Sequence, residues 1–189
     1  MVDLEPDDPI DESDVHPDAD LSDTNLREVD LSGADLTNAN LSNADLTDAD
    51  LTDASLKNSN LSNAKVHYAT LRKTNLDDAD LSTADFLNAN LSEADLRSAD
   101  LSDTRLRNAN ISAADLTDAD LFDASLRYTD CSHVYLTSAN LKNADLRSAD
   151  MATTALQATQ VLDTNGDETN ATKADLHNNG AIIHTPSGE

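Results

Sequence analysis

Five histidines, one cysteine and an excess of carboxylates are the residues of this 189-residue chain able to do chemistry. The histidines stand at 16, 67, 133, 177 and 184, and no Ser/His/Asp or Cys/His spacing joins a nucleophile to a base. Cys131 stands alone, which excludes an internal disulfide, and no Cys/His cluster has the spacing of a zinc site. Carboxylates recur so regularly that no pair is marked out as a general acid and base. Asp163-Thr164-Asn165-Gly166-Asp167-Glu168 offers the oxygens of calcium-loop positions 1, 3 and 5. Yet Glu168 occupies the sharp-turn glycine's place, and Ala174 that of the bidentate glutamate. This stretch is read as a polar turn. The expectation is a protein that is not an enzyme and carries no cofactor or metal.

The elements that hold these residues are set by an unusual composition. Thirty-seven acids, 31 of them Asp, face twelve Lys plus Arg, for a formal charge of -25. Aromatic residues make up 3% and Trp is absent, which argues against a core built on large rings. Such a composition reads as disorder unless a pattern overrides it. No apolar run approaches the ~18 residues of a membrane span. The N-terminus has neither the basic nor the apolar region of a signal peptide. A soluble cytoplasmic protein is therefore expected. Direct nucleic-acid binding is disfavoured, because the net charge repels phosphate and no basic, aromatic-interleaved patch compensates.

The pattern is present. From Leu21 to Val161 every fifth residue is an apolar centre, twenty-nine in succession without insertion or deletion, Cys131 among them as an inward small hydrophobe. Two residues before each centre sits a small residue, usually Ala, and between them a polar one, most often Asp or Asn. A period of five spirals around an α-helix and alternates faces on a flat strand, so it fits neither. Ala-Asp-Leu by itself is an extended triplet whose first and third side chains point the same way. If the next two residues turn the chain by about 90°, four pentapeptides close a square coil of 20 residues, and stacked coils pair at about 4.8 Å.

The motif Ala-(Asp/Asn)-Leu-x-x, as in Ala44-Asp45-Leu46-Thr47-Asp48 and Ala139-Asn140-Leu141-Lys142-Asn143, resembles the pentapeptide-repeat family. The resemblance implies an all-β fold, a right-handed quadrilateral β-helix (a solenoid) of about seven to eight coils, spanning residues 19–163. Residues 1–18, with eight acids and three prolines, are expected to form a mobile acidic arm, partly covering the first coil. Residues 164–189 are expected to hold degraded repeats and a C-terminal cap, ending in Ala181-Ile182-Ile183. Counting Thr164-Asn165-Gly166, Thr169-Asn170-Ala171 and Ala174-Asp175-Leu176 in register would give 32 repeats, or eight full coils. Some family members dimerise through a C-terminal helix; Asn178, Asn179 and Gly180 argue against carrying that over.

Wrapped four repeats to the coil, the charge is uneven. The face of Leu21 carries eight acids and Lys142, those of Leu31 and Leu36 are each net -4, and that of Leu26 is net +1. Arg107, Arg127 and Arg147 fall one coil apart up a single edge, with Arg105 beside them. This stripe is a candidate contact for an anion or acidic protein; the alternative is chance clustering relieved by Asp85 and Asp145. Tyr68, Tyr128 and Tyr135 point outward without forming a clear patch.

Two functional readings remain open. In the first, the acid adapts a structural or protein-interaction rod to concentrated salt, because Asp far above Lys and an acidic arm outside the motif resemble proteins of salt-loving archaea. In the second, the rod imitates duplex DNA, as the resemblance to family members that inhibit or protect DNA gyrase implies. Asp80, Asp100, Asp103, Asp120 and Asp123 on the Leu21 face are then the candidate surface. The quinolone-resistance members often carry loops between coils, and this chain has none.

Overall fold

The backbone hydrogen bonds of a single repeat explain the whole architecture. In the repeat centred on Leu41, the Leu41 N–H donates to the Asn60 carbonyl (2.7 Å) and the Asn43 N–H to that of Ser62 (3.0 Å). The Asn40 N–H donates to the Ala19 carbonyl (2.8 Å), and the Ala44 N–H closes the turn on the Leu41 carbonyl (3.1 Å). The fifth N–H, of Ser42, donates to the Asn40 side-chain oxygen at 3.1 Å. Every donor is satisfied, two of them within the repeat and three across coils, which is what lets so short a segment stand as one side of a solenoid.

The computed structural model describes residues 10–11, 13–157 and 182–184. Parallel bridges join residues twenty apart, beginning Asp20↔Asn40 and ending Asp130↔Asp150, at every fifth residue without a skip. Each coil therefore holds four pentapeptides, and the chain forms a β-helix. The corners are turns whose third residue has positive φ, as type II turns demand: Asn43 at 60°, Asp123 at 56°. Asn and Asp enter this region most readily among residues with a side chain. Gly33, at φ 66°, is the lone glycine at such a corner among the described residues.

The inward set is the expected one. Leucine centres from Leu26 to Leu116 are 0% exposed, and the alanines between them are nearly so. Phe86, a large centre, has Val66 one coil below it on the same side and is itself fully buried. Volume is thereby kept along the ladder. Where Ser or Thr replaces an inward Ala, its hydroxyl finds a carbonyl: Ser59 donates to Leu56 (2.7 Å) and Thr74 to Leu51 one coil away (2.8 Å). Thr104, Thr129 and Thr154 repeat the second pattern.

The two ends are built differently from the middle of the rod. At the N-terminal end Ile10 is buried, Val15 packs against the core, and the Asp18 N–H donates to the Thr37 carbonyl at 2.8 Å. Their apolar side chains cover a coil end that would otherwise meet water. The expectation for residues 1–9 lies outside the described residues. At the other end, strand β1 (Ala155–Gln157) pairs in parallel with β2 (Ile182–His184), with Ala155 opposite Ile182. Continued repeats would have put Asp175 there; this last pairing steps 27 residues, not twenty. The intervening sequence has Gly166 and Ala171 at two of its centres before Leu176, and the β-branched Ile182-Ile183 supplies an edge partner.

Candidate interaction surfaces

Three outward columns rise from every side of the rod: one at mid-face, from the residue before each centre, and two at the corner that follows. The mid-face Asp or Asn has a structural duty. Its side-chain oxygen accepts the N–H two residues on, as Asp50 does from Thr52 (2.8 Å) and Asp100 from Ser102 (2.9 Å). Where a hydroxyl follows, it donates as well: Ser22 to Asp20 (2.7 Å), Thr37 to Asp35 (2.7 Å). These hydroxyls first, and then the backbone N–H groups, hold the Asp20, Asp30 and Asp35 carboxyls below their ordinary range.

On the Leu21 side the mid-face column runs Asp80, Asp100, Asp120, bridged to one another in succession. Asn140 donates to Asp120 at 2.8 Å. Asp103 and Asp123, both exposed, occupy the adjoining corner. The five predicted carboxylates therefore share one acidic strip. Exposed Phe122 precedes Asp123 in the neighbouring column, where it follows Ser22, Ser42, Ser62, Ser82 and Ser102.

The Leu26 side solves its charge differently. Its mid-face column alternates Asp45, Lys65, Asp85, Arg105, with Lys65 3.2 Å from Asp45 and Arg105 3.8 Å from Asp85. Arg27 lies 3.5 Å from Asp45, and His67 Nε2 3.2 Å from Asp85. Arg105 thus belongs to a neutralised ladder at mid-face, apart from the corner where Arg107, Arg127 and Arg147 stack.

Within that corner the three arginines are unequal. Arg147 grips Asp145 with Nε (2.9 Å) and a terminal nitrogen (2.5 Å), holding that carboxyl below its ordinary range. Arg127 Nε is 3.9 Å from the same carboxylate and has no hydrogen-bond partner. Arg107 has no carboxylate within ion-pair distance among the described residues; its guanidinium lies 5.8 Å from the Tyr128 ring centroid, and that of Arg127 5.7 Å. Tyr128 is therefore clasped by two cations, a patch the sequence reading missed. Its signal was available: Tyr128 follows Arg127 and falls one coil above Asn108, beside Arg107. Tyr68 and Tyr135 stand exposed elsewhere.

Other cations are neutralised locally, Arg97 by a two-pronged grip on Asp95 (2.7 and 2.6 Å) and Lys57 by Asp77 (2.5 Å). Cys131 is buried; burial first, then the Asp130 and Asp150 carboxylates, push its thiol far above its ordinary pKa, which suits an inert core residue. No cluster of three or more metal-ligating side chains occurs among the described residues, and no helix there is long and apolar enough to cross a membrane. The 163–168 motif and His177 lie outside the described residues.

These features define a class of protein. The family model for pentapeptide repeats, in eight copies, matches residues 18–53, 39–77, 74–112 and 114–151. The chain belongs to the pentapeptide-repeat family, and its fold is that family's right-handed β-helix. Among solved structures it is similar to HetL, a pentapeptide repeat protein involved in heterocyst differentiation regulation from the cyanobacterium Nostoc sp. strain PCC 7120. Identity there is 29% over 78% of this chain and 80% of HetL, with a TM-score of 0.52. A trypsin-treated variant of QnrB1, a plasmid-mediated fluoroquinolone resistance protein, is 20% identical over 89% of this chain and 86% of its own, with a TM-score of 0.56. That second likeness shows fold alone. No curated protein matches the chain significantly.

Proposed function

We propose that this protein is a non-enzymatic rod that works in the cytoplasm by presenting surfaces to a protein partner, with a carboxylate coat adapted to concentrated salt. One observation carries the reading. The mid-face acceptor is served equally by Asn, as Asn40 serves Ser42 (3.1 Å), and by Asp, as Asp30 serves Ser32 (2.9 Å). The fold is therefore indifferent to charge at this position. Yet from Asp20 to Asp150 fourteen such positions are Asp and seven are Asn. The excess negative charge serves the exterior, where dense carboxylates retain water and keep rods apart. Thermal melts in dilute buffer and in molar KCl test this. Stability should rise with salt as carboxylate repulsion is screened; a flat response would remove salt adaptation.

A second reading rests on the Asp80–Asp100–Asp120 column with Asp103 and Asp123 beside it: a regular carboxylate strip that fits a basic DNA-binding groove, such as that of DNA gyrase. Direct nucleic-acid binding has no place in either reading. In a supercoiling assay, inhibition that is lost when Asp100, Asp103, Asp120 and Asp123 become Asn would favour mimicry. No inhibition by the folded protein would discard it.

A further inference from the structure

The two columns nearest the Leu26 side carry opposite charge in the same coils, with Glu28 and Asp48 in the outer column of the arginine corner and Lys142 in that of the other. One edge holds the acids Asp23, Asp103 and Asp123, and the other holds Arg27, Arg107 and Arg127 at the same three levels. In the three coils between them the acidic edge has Asn43, Asn63 and Thr83, and the opposite edge has Thr47, His67 and Leu87 in place of arginine. Within one copy the matched residues stay apart: neither Asp103–Arg107 nor Asp123–Arg127 forms an ion pair among the described residues. The aromatic side chains follow the same levels. Phe122, 38% exposed, breaks the serine column in the very coil where Tyr128, 49% exposed, is clasped by arginines.

From this coincidence we infer that the Leu26 side is a self-association surface that joins two copies of this chain as a parallel twofold dimer. A dyad parallel to the rod axis keeps every coil at its own height and exchanges left edge for right. Arg107 of one copy then meets Asp103 of the other, Arg127 meets Asp123, and Tyr128 meets Phe122, each pair occurring twice. Such an interface is isologous and closed. Its charge pairs flank the mid-face column, and each Tyr128–Phe122 contact covers the outer side of an Arg127–Asp123 pair, where it excludes water from the pair. The strip along the dyad, where like faces like, tolerates the approach: Asp85 and Arg105 already neutralise each other at 3.8 Å, and Ser125 lies level with the aromatic pair. Above it Arg147, whose charge Asp145 has taken up at 2.5 Å, meets neutral Asn143, and Lys142 meets Ser148.

A charge-swap experiment tests this on the full chain by sedimentation, in about 0.5 M KCl, where repulsion between two acidic rods is screened beyond roughly 4–5 Å. The native protein should sediment at twice its monomer mass at tens of micromolar. D103R/D123R and R107D/R127D should each be monomeric, and an equimolar mixture of the two should regain the doubled mass. That recovery also shows that both variants are folded. Ser125→Cys should form a disulfide-linked dimer on mild oxidation, whereas the native chain, with only buried Cys131, should not. A monomeric native protein, or reversal variants that dimerise alone, overturns the proposal. So does failure of the mixture to recover with both variants folded by circular dichroism.

Discussion

Two strips of the rod, one corner apart, use the same backbone and opposite electrostatics. On the Leu21 side Asp80, Asp100 and Asp120 rise one above another with no cation between them. On the Leu26 side Asp45, Lys65, Asp85 and Arg105 alternate in the equivalent column, and each neighbouring pair carries opposite charge. At about 4.8 Å between coils, like charges destabilise and opposite charges stabilise by similar small amounts. The fold tolerates either because its stability lies inside, where the leucine ladders beneath both strips belong to one core. The exterior is thus free to be set by what the rod must meet.

That separation of inside from outside makes the comparison breakable. The largest effect should come from the interior, and it should ignore which strip lies above. Leu101→Asp beneath the acidic strip and Leu106→Asp beneath the alternating one should each abolish the cooperative melt. An unpaired carboxylate in a dry ladder costs more than the roughly 2–5 kcal/mol of a Leu→Ala truncation. A melt that survives in one and not the other would show that the strips do not share a core.

Acid should act next. Asp20, Asp30, Asp35, Asp95 and Asp145 have folded pKa values below their ordinary one, because they accept hydroxyl, backbone or guanidinium hydrogen bonds. Their contribution is complete above the unfolded value of about 3.9 and is lost as pH falls through the lower folded values. Melts followed from pH 5 to pH 2 should hold steady at first and then fall, with no loss near neutrality.

The mid-face acceptor separates structure from charge. Asp50→Ala strands the Thr52 N–H, now bonded at 2.8 Å, and should cost about 0.5–1.5 kcal/mol in denaturant unfolding, whereas Asp50→Asn retains the acceptor and should cost almost nothing. Equal losses would mean that the charge, and not the hydrogen bond, matters there.

The smallest effect is the most diagnostic, because its sign reverses between the strips. Asp100→Asn keeps the acceptor for Ser102 and removes the middle of three stacked carboxylates, so it should stabilise by roughly 0.2–1 kcal/mol. Asp45→Asn keeps the acceptor for Thr47 but frees Lys65 and Arg27, so it should destabilise by a similar amount. Both differences should shrink in molar KCl. The same sign for both would erase the contrast between the strips.

Much of this was legible in the sequence, for a local reason. The five-residue period specifies which side chains point inward, and 29 uninterrupted centres leave the chain no competing register. The twenty-residue coil followed from one right-angled turn per repeat. The contacts at the ends were not legible, because there the motif no longer decides. The sequence marks an acidic arm that partly covers the first coil and a cap ending in Ala181-Ile182-Ile183, but not that Ile10 is the buried residue or that Ile182 stands opposite Ala155.

The candidate surfaces divide along the same line. The sequence by itself placed Arg107, Arg127 and Arg147 in one column and Asp80, Asp100 and Asp120 in another, because position modulo twenty is enough to do so. Only the tertiary structure decided that Asp145 holds Arg147, that Tyr128 holds Arg107 and Arg127, and that Arg105 belongs to a neutral ladder. Periodicity fixes where each backbone position lies. Side chains on long flexible stems choose among neighbours one coil away by distance and charge, and that choice exists only once the coils are stacked.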